Sequence, residues 1–505
     1  MFYVVRYHWQ LQILFMANVS ELKTKGLKAA SWNFFNMMIN QLRNFIVTLV
    51  LARLLTPADF GLVSMAMVLN SILDFLVDFG FSSAVIRKKI VSIVETSTIF
   101  WINIMVGASC TLLVFCSASG FAWFYEMPAL TDIVYITSFS FFISSFGTLQ
   151  TALFQRDLNF RKPFLAKLIS GITSGVLGIV LALCGWGVWA LVFSNLSGWL
   201  LYSISIWFMS SWRPRFIFKF SAVSDMVTFG WKMTLSTFIN RIVRQLDTFI
   251  IGKLFSATSL GLFNRAQSLN HLVIDYSFSS IRGVILPSLS KLQDDIEALR
   301  YSVMMLLNVI SFLTFFIAGL MYTCANDVIL FLYGQQWSGS VDIFKIIGLF
   351  SIALCLPIVF DTVMTVVNKM TLYICMSLIG NILILLAIPI GLHYGFMGYI
   401  WAVSIAGIIK LIPLMFSTKA CIGLSVISQS TVILRYAIPF SILIIAWNFI
   451  EFSSNYHLIN IVLKSILFST LYITTNLILR NKGLHICWGI LSKLLKEKFS
   501  IKKHP

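Results

Sequence analysis

The chain has 505 residues, of which 58% are hydrophobic and 11% are charged, and its mean hydropathy is +0.89. Soluble domains average roughly 45–50% apolar and about 25% charged residues, so this composition excludes a soluble enzyme, a disordered chain and a secreted disulfide scaffold. At about 20 apolar residues for each span, the chain has room for on the order of fourteen crossings. We therefore expect an all-α polytopic membrane protein.

The net charge of +18 comes from 37 Lys and Arg against 19 Asp and Glu. These basic residues form no stripe and carry no aromatic RNA-binding signature, so we expect no nucleic-acid partner. The eight cysteines fall singly in or beside apolar segments, and the six histidines show no paired arrangement. We therefore expect no disulfide, no metal site and no cofactor.

Apolar runs bounded by charges and turn residues predict fourteen spans, at 27–52, 57–80, 96–119, 130–153, 164–184, 187–209, 226–253, 258–284, 300–324, 341–367, 370–392, 396–417, 431–450 and 458–480. The even-numbered connections carry basic clusters such as 87–89, 156–162 and 213–219. The other connections hold Arg53 and Lys253 at helix ends and otherwise acidic or neutral residues, including Glu126, Asp132, Asp327 and Glu451. Basic loops stay on the cytoplasmic side, so both termini should be cytoplasmic.

An internal repeat relates the two halves of the chain. Residues 40–70 align with 240–270 without a gap, with eight identities that include Gly61 with Gly261 and Asn70 with Asn270. Six crossings separate the copies, so the two lobes share one orientation about an axis along the membrane normal. In each copy a hydroxyl residue, Thr56 or Ser256, precedes a helix start, and we expect Thr56 to cap the helix that begins at Pro57.

These features divide the chain into five segments. They are a leader at 1–21, an N-lobe at 22–212 (spans 1–6), a C-lobe at 213–420 (spans 7–12), two further spans at 421–482 and a basic amphipathic tail at 483–505. The leader is either interfacial or an upstream start artefact, because translation could start at Met1 or at Met16.

Polar residues inside spans mark a bundle interior or an aqueous cavity. The first and seventh spans carry cations and amides at helical spacing, so both lobes should line a positively charged cavity that suits phosphate. Candidate substrate-binding residues are Asn40, Arg43, Asn44, Lys232, Asn240, Arg241, Arg244 and Arg265. Candidates for ion coupling are Asp74, Asp78, Asp247, His271, Asp275 and Asp361. Two alternatives stay open: internal pairs such as Arg244 with Asp247 or Arg265 with Asp275, and a capping or loop role for Asp74 and Asp78.

The segment around the first two spans is similar to the Wzx-type polysaccharide and O-antigen flippases of the multidrug/oligosaccharidyl-lipid/polysaccharide exporter superfamily. The likeness rests on Ala52–Pro57, Asp59–Gly61, Asp78–Phe81 and the basic loop at Arg87, points to the colanic-acid and teichuronic-acid branch, and runs from about residue 22 to about residue 480. Relatives in this superfamily place cations of helices 1, 2, 7 and 8 in the cavity, which implies that role for Arg43, Arg241, Arg244 and Arg265. The second span lacks an interior arginine and departs from that pattern.

The resemblance implies a two-lobed MATE/MurJ-like transporter in the bacterial inner membrane. Its substrate would be an undecaprenyl-pyrophosphate-linked oligosaccharide, moved to the outer leaflet for O-antigen, lipopolysaccharide, capsule or exopolysaccharide synthesis. A polysaccharide polymerase and a chain-length regulator are the implied protein partners. No phosphate-binding G-x-x-x-x-G-K-[ST] loop is present in the sequence, so the energy source would be an H⁺ or Na⁺ gradient or the membrane potential.

Two other functions compete with the flippase. A cation-coupled multidrug exporter of the MATE type would need an acidic, aromatic cavity, which the cations of the first and seventh spans disfavour. A membrane polymerase or acyltransferase would need a large outward loop or a paired catalytic site, and the outward loops predicted here are short.

Replacing Arg43 or Arg244 with Ala should abolish surface polysaccharide and leave membrane insertion intact, because each change removes one phosphate-binding cation. The measurement is glycan display at matched protein levels. Arg43→Lys tests geometry separately, since it keeps the charge and loses multidentate bonding. Normal display by both Ala variants would contradict the assignment.

Overall fold

The computed structural model describes residues 38–78, 80–88, 90–227, 241, 245–450, 456–489 and 492. In these ranges every regular element is helical, which confirms the all-α prediction. The chain divides into two compact units, Met1–Gly261 and Leu262–Pro505.

Among its described residues the first unit contains eight α-helices. They are α1 (38–54), α2 (Pro57–Asp78), α3 (Phe81–Arg87), α4 (Ile93–Tyr125), α5 (Ala129–Arg156), α6 (Arg161–Leu183), α7 (Val188–Met209) and α8 (245–254). Of these, α2, α5, α6 and α7 match predicted spans to within a few residues at each end, while the short helix α3 was not predicted. Helix α4 begins with a capping box, in which the Ser92 hydroxyl accepts from the Glu95 amide while the Glu95 carboxylate accepts from the Ser92 amide.

The second unit begins inside α9 and continues through the remaining helices. They are α9 (Ala257–Ser290), α10 (Ile296–Tyr333), α11 (Ser340–Leu349), α12 (Ile352–Cys355), α13 (Pro357–Val366), α14 (Met370–His393), α15 (Gly395–Ile409), α16 (Leu411–Ile422), α17 (Val426–Trp447), α18 (His457–Ile478) and α19 (482–489). One predicted span is broken in this unit, and another contains a turn residue within an otherwise continuous helical segment. The tenth bends by 54° between α11 and the helices that follow, and the turn residue in the twelfth is Lys410.

Ten helical segments of the described residues are long and apolar enough to cross a membrane, with α2 and α3 counted as one segment and α15 and α16 as another. The number is eleven if the bent pair also forms one span. The protein is therefore a multi-pass membrane protein, while the count of fourteen stays a prediction. The first and seventh predicted spans lie partly outside the described residues. The eighth is present as α9, whose polar side chains, Asn264, Arg265 and His271 among them, lower its hydropathy.

The two repeat copies of the helix start contact each other through equivalent residues. Thr56 caps α2 as predicted, because its hydroxyl accepts from the Asp59 amide at 3.3 Å. A Cβ added to Gly61 would lie 1.8 Å from the Ala257 carbonyl oxygen, and one added to Gly261 would lie 1.8 Å from the Pro57 carbonyl oxygen. All of these residues belong to the first unit. Only a residue without a side chain permits this approach, which explains why the repeat keeps glycine at both positions.

Asp327 corrects one sequence-based expectation. The sequence predicts a connection between spans at this position, but Asp327 lies inside α10 and is only 2% exposed. Its carboxylate accepts from Lys464 Nζ at 2.6 Å and from Asn460 Nδ2 at 3.1 Å, and it lies 3.0 Å from His457 Nδ1. The three partners share one face of α18. A buried carboxylate requires such partners. They come from a helix 130 or more residues further along the chain, which the pattern of each span does not reveal.

We expect Gly61→Ala and Gly261→Ala to lower the melting temperature of the purified protein by several degrees. Each added methyl group would meet a backbone carbonyl, and overpacking of this kind typically costs about 1–3 kcal/mol. Gly120→Ala in α4 is the control, because its Cβ would meet nothing within 4 Å. Equal thermal stability of the three variants would show that the close approach is not needed.

Candidate functional site

A polar cavity of about 400 Å³ lies among α2, α5 and α7 of the first unit. Each helix contributes a stripe of side chains at helical spacing. The stripes are Asp74 and Asp78 from α2, Ser144, Thr148, Thr151 and Gln155 from α5, and Trp199 and Tyr202 from α7. Arg241 also lines the cavity. The cavity therefore brings together three of the candidate site residues predicted from the sequence, Asp74, Asp78 and Arg241.

The charged groups of this cavity have defined neighbours. Asp78 Oδ1 accepts from the Ser82 hydroxyl at 2.6 Å and from the Ser82 amide at 3.0 Å. These hydrogen bonds join the end of α2 to the start of α3. They support the capping role for Asp78 over a role in ion coupling. Arg241 Nη1 donates to the Ser71 carbonyl at 2.8 Å, and its charge acts on Asp74. The Asp74 carboxylate lines the cavity, and no hydrogen bond to it is seen among the described residues.

A second polar group lies between α1 and α6. Arg43 Nη1 donates to the Lys167 carbonyl at 2.5 Å, and Nη2 donates to Asn44 Oδ1 at 2.7 Å. The guanidinium lies over Gly171, where an added Cβ would come within 1.6 Å of Nη1. The charges of Arg43 and Lys167 act on each other. Arg43 is half-exposed and Lys167 is exposed. Two accessible cations that lie this close together can bind one anion.

The other predicted site residues are spread over the structure. Asn40 is buried in α1, Asp247 is half-buried in α8, and Arg265 is half-buried in α9 near Tyr333 of α10. The side chains of His271, Asp275 and Asp361 are exposed in the second unit. Lys232, Asn240 and Arg244 lie outside the described residues, so their proposed pairing and cavity roles stay predictions.

Paired charges near the ends of the helices hold neighbouring segments together. Lys253 Nζ lies 2.8 Å from Glu126 Oε1, and this hydrogen bond lowers the pKa of the Glu126 carboxyl. Lys88 pairs with Glu95. No group of three histidine, cysteine or acidic side chains with metal-binding geometry occurs among the described residues.

The sequence-based prediction missed several residues of these polar groups. The hydroxyl and amide side chains of α5, and the two aromatic side chains of α7, are spaced three or four residues apart. This spacing places each set on one face of its helix and could have identified them as cavity residues. Lys167 and Lys410 are cations inside predicted spans, and neither is among the candidate site residues predicted from the sequence. Lys410 is the turn residue of the twelfth span and donates to Asn381 Oδ1 at 2.7 Å.

The sequence and the fold each resemble known proteins. The family model described as "Polysaccharide biosynthesis protein" matches residues 50–342. Over 334 residues the chain is 25% identical to "Lipopolysaccharide biosynthesis protein WzxC" of Escherichia coli (strain K12). This alignment covers 65% of the chain and 67% of that protein. The chain spans about two thirds of the length of the curated relatives it matches.

Two solved structures share the fold. "Lipid II flippase MurJ, inward closed conformation" aligns with a TM-score of 0.66 at 16% identity and covers 88% of this chain and 99% of its own. An "inward-facing conformation of a multidrug resistance MATE family transporter of the MOP superfamily" aligns with a TM-score of 0.61 at 14% identity and covers 78% of this chain and 98% of its own. These likenesses confirm the predicted MATE/MurJ-like fold.

Gly171→Ala should lower glycan display on the order of tenfold, because the new methyl group would push the Arg43 guanidinium off the Lys167 carbonyl while the charge remains. A flexible side chain can move, so the fold should survive. Gly175→Ala is the matched control one turn along α6, where the Cβ would meet Val47 at 2.6 Å instead. The assay compares surface polysaccharide at equal membrane levels. Equal display by the two variants would mean that the position of Arg43 does not matter.

Proposed function

Because the chain belongs to the polysaccharide biosynthesis protein family, we propose that it is a flippase for a lipid-linked oligosaccharide. It moves undecaprenyl-pyrophosphate-linked repeat units from the cytoplasmic to the outer leaflet, where they supply a surface polysaccharide. The observation that carries this proposal is the family match over residues 50–342 of a chain whose described residues include ten helical segments long and apolar enough to cross a membrane. A hydrophilic glycan on a lipid crosses a bilayer only with such a protein, because hydrocarbon offers its polar groups no partners.

The cations of the first unit support an anionic substrate. Arg43 provides a planar set of donors for phosphate oxygens, and Lys167 provides a point charge beside it. Phosphate gains most from such groups where water is scarce. We assign the pyrophosphate to this pair, with Asn44 as an additional polar contact.

The charge pattern of the sequence indicates the orientation, and the lack of a G-x-x-x-x-G-K-[ST] motif favours an energy source other than a nucleotide. We propose that the protein lies in the bacterial inner membrane with both termini in the cytoplasm, since the basic loops then remain inside. Export of an anion from a negative interior gains about 2.3 kcal/mol per uncompensated charge per 100 mV. The membrane potential, or an H⁺ or Na⁺ gradient, therefore supplies the energy.

The main competitor is a multidrug exporter, because the fold is common to both kinds of transporter. The neighbouring cations Arg43 and Lys167 disfavour it, since a cationic drug would be repelled there. An enzyme such as a polymerase or acyltransferase is disfavoured, because the chain shares its fold with a flippase and a transporter.

Expression of the chain in a strain that lacks its own flippase should restore surface polysaccharide, since the chain would then deliver repeat units to the outer leaflet. Glycan display is measured with the Arg43→Ala variant as the inactive control, and drug susceptibility is measured in the same cells. Display should return without any change in drug resistance. Increased resistance to cationic drugs together with absent glycan would favour the exporter instead.

A further inference from the structure

The cavity among α2, α5 and α7 shares no lining residue with Arg43 and Lys167, the pair to which we assign the pyrophosphate. Its volume of about 400 Å³ lies within the range of small-molecule sites, which are typically about 300–1,000 Å³. Asp74 and Asp78 lie four residues apart on α2 and place two carboxylates in its wall. Like charges repel, so these carboxylates disfavour a pyrophosphate in the cavity.

The polar groups of the cavity instead match a ligand rich in hydroxyl groups. The carboxylates of Asp74 and Asp78 only accept hydrogen bonds when ionised, whereas the guanidinium of Arg241 only donates them. The amide of Gln155 and the hydroxyls of α5 do both. A sugar hydroxyl also donates and accepts, and a sugar ring carries several of them in different directions. A lining that combines acceptors, donors and groups of both kinds therefore suits a saccharide.

The aromatic side chains add a flat apolar surface. Trp199 is 39% exposed, and Tyr202 lies one turn further along the same face of α7. The Tyr202 hydroxyl lies 2.9 Å from the Thr151 hydroxyl, so this hydrogen bond holds the tyrosine ring in place. The negative face of an aromatic ring attracts the C–H groups on one side of a sugar ring. Arg241 at the same cavity disfavours a cationic drug as the ligand.

We propose that this cavity binds a sugar unit of the lipid-linked oligosaccharide, with Trp199 as the stacking surface and Asp74 and Gln155 as hydrogen-bonding groups. This inference rests on the proposed function. The substrate would then contact the first unit at two places. The diphosphate would bind to Arg43 and Lys167, and the sugar would bind in the cavity. The cavity then determines which repeat unit the protein accepts.

The test measures binding of two lipids to the purified full-length protein in nanodiscs by native mass spectrometry. One lipid is undecaprenyl pyrophosphate that carries the host repeat unit, extracted from flippase-deficient cells, and the other is undecaprenyl pyrophosphate without sugar. The wild type should bind the glycosylated lipid more tightly. Trp199→Ala should reduce that preference on the order of fivefold and leave the affinity for the bare lipid unchanged.

Three further variants complete the design. Trp199→Phe keeps a ring and should retain most of the preference, while Gln155→Ala should lose part of it. Trp123→Ala removes a tryptophan that is 82% exposed on α4 and should have no effect. Size-exclusion chromatography checks that each variant is folded.

The outcomes separate the two proposals. If the wild type prefers the glycosylated lipid and both Trp199→Ala and Gln155→Ala retain that preference, the cavity does not bind the sugar and the flippase assignment stands. A loss of affinity for the bare lipid in Trp199→Ala would also overturn the inference, since the carrier would then contact the cavity. If the wild type binds neither lipid, the proposed function itself fails.

Discussion

A charged side chain inside a membrane-crossing helix needs a partner within its own bundle, because hydrocarbon cannot solvate it. Asp327 meets this constraint in the second unit with Lys464, Asn460 and His457 from a single face of α18. Removal of one partner from a buried ion pair typically costs about 3–5 kcal/mol, so this cluster binds α18 firmly to α10. The same constraint directs Arg43 to a backbone carbonyl of α6.

Small residues make such contacts possible. Arg43 reaches the Lys167 carbonyl only because Gly171 leaves room for the guanidinium. The reciprocal contacts of Gly61 and Gly261 depend on the same principle, since each glycine faces a carbonyl at the other copy of the helix start. Without a hydrophobic driving force between helices in lipid, packing of this kind carries much of the association energy.

The first unit contains two groups of polar side chains that could bind different parts of one ligand. Cations lie together between α1 and α6, whereas carboxylates, hydroxyls and aromatic rings line the cavity of α2, α5 and α7. A lipid-linked oligosaccharide presents the complementary groups, a diphosphate and a chain of sugars. Membership of the polysaccharide biosynthesis family agrees with a substrate of this type.

The sequence alone determined the class of protein, the family and most helix boundaries. These depend on local composition and periodicity, which is why α2, α6, α7 and α14 begin and end within a few residues of the predictions. It also located Asp74 and Arg241 as polar residues in predicted spans. Only the tertiary structure decided which polar residues share a cavity, that Lys167 accompanies Arg43, and that Asp327 lies inside a helix. Those contacts join helices far apart in the chain, and the pattern within one helix does not specify the helix it faces.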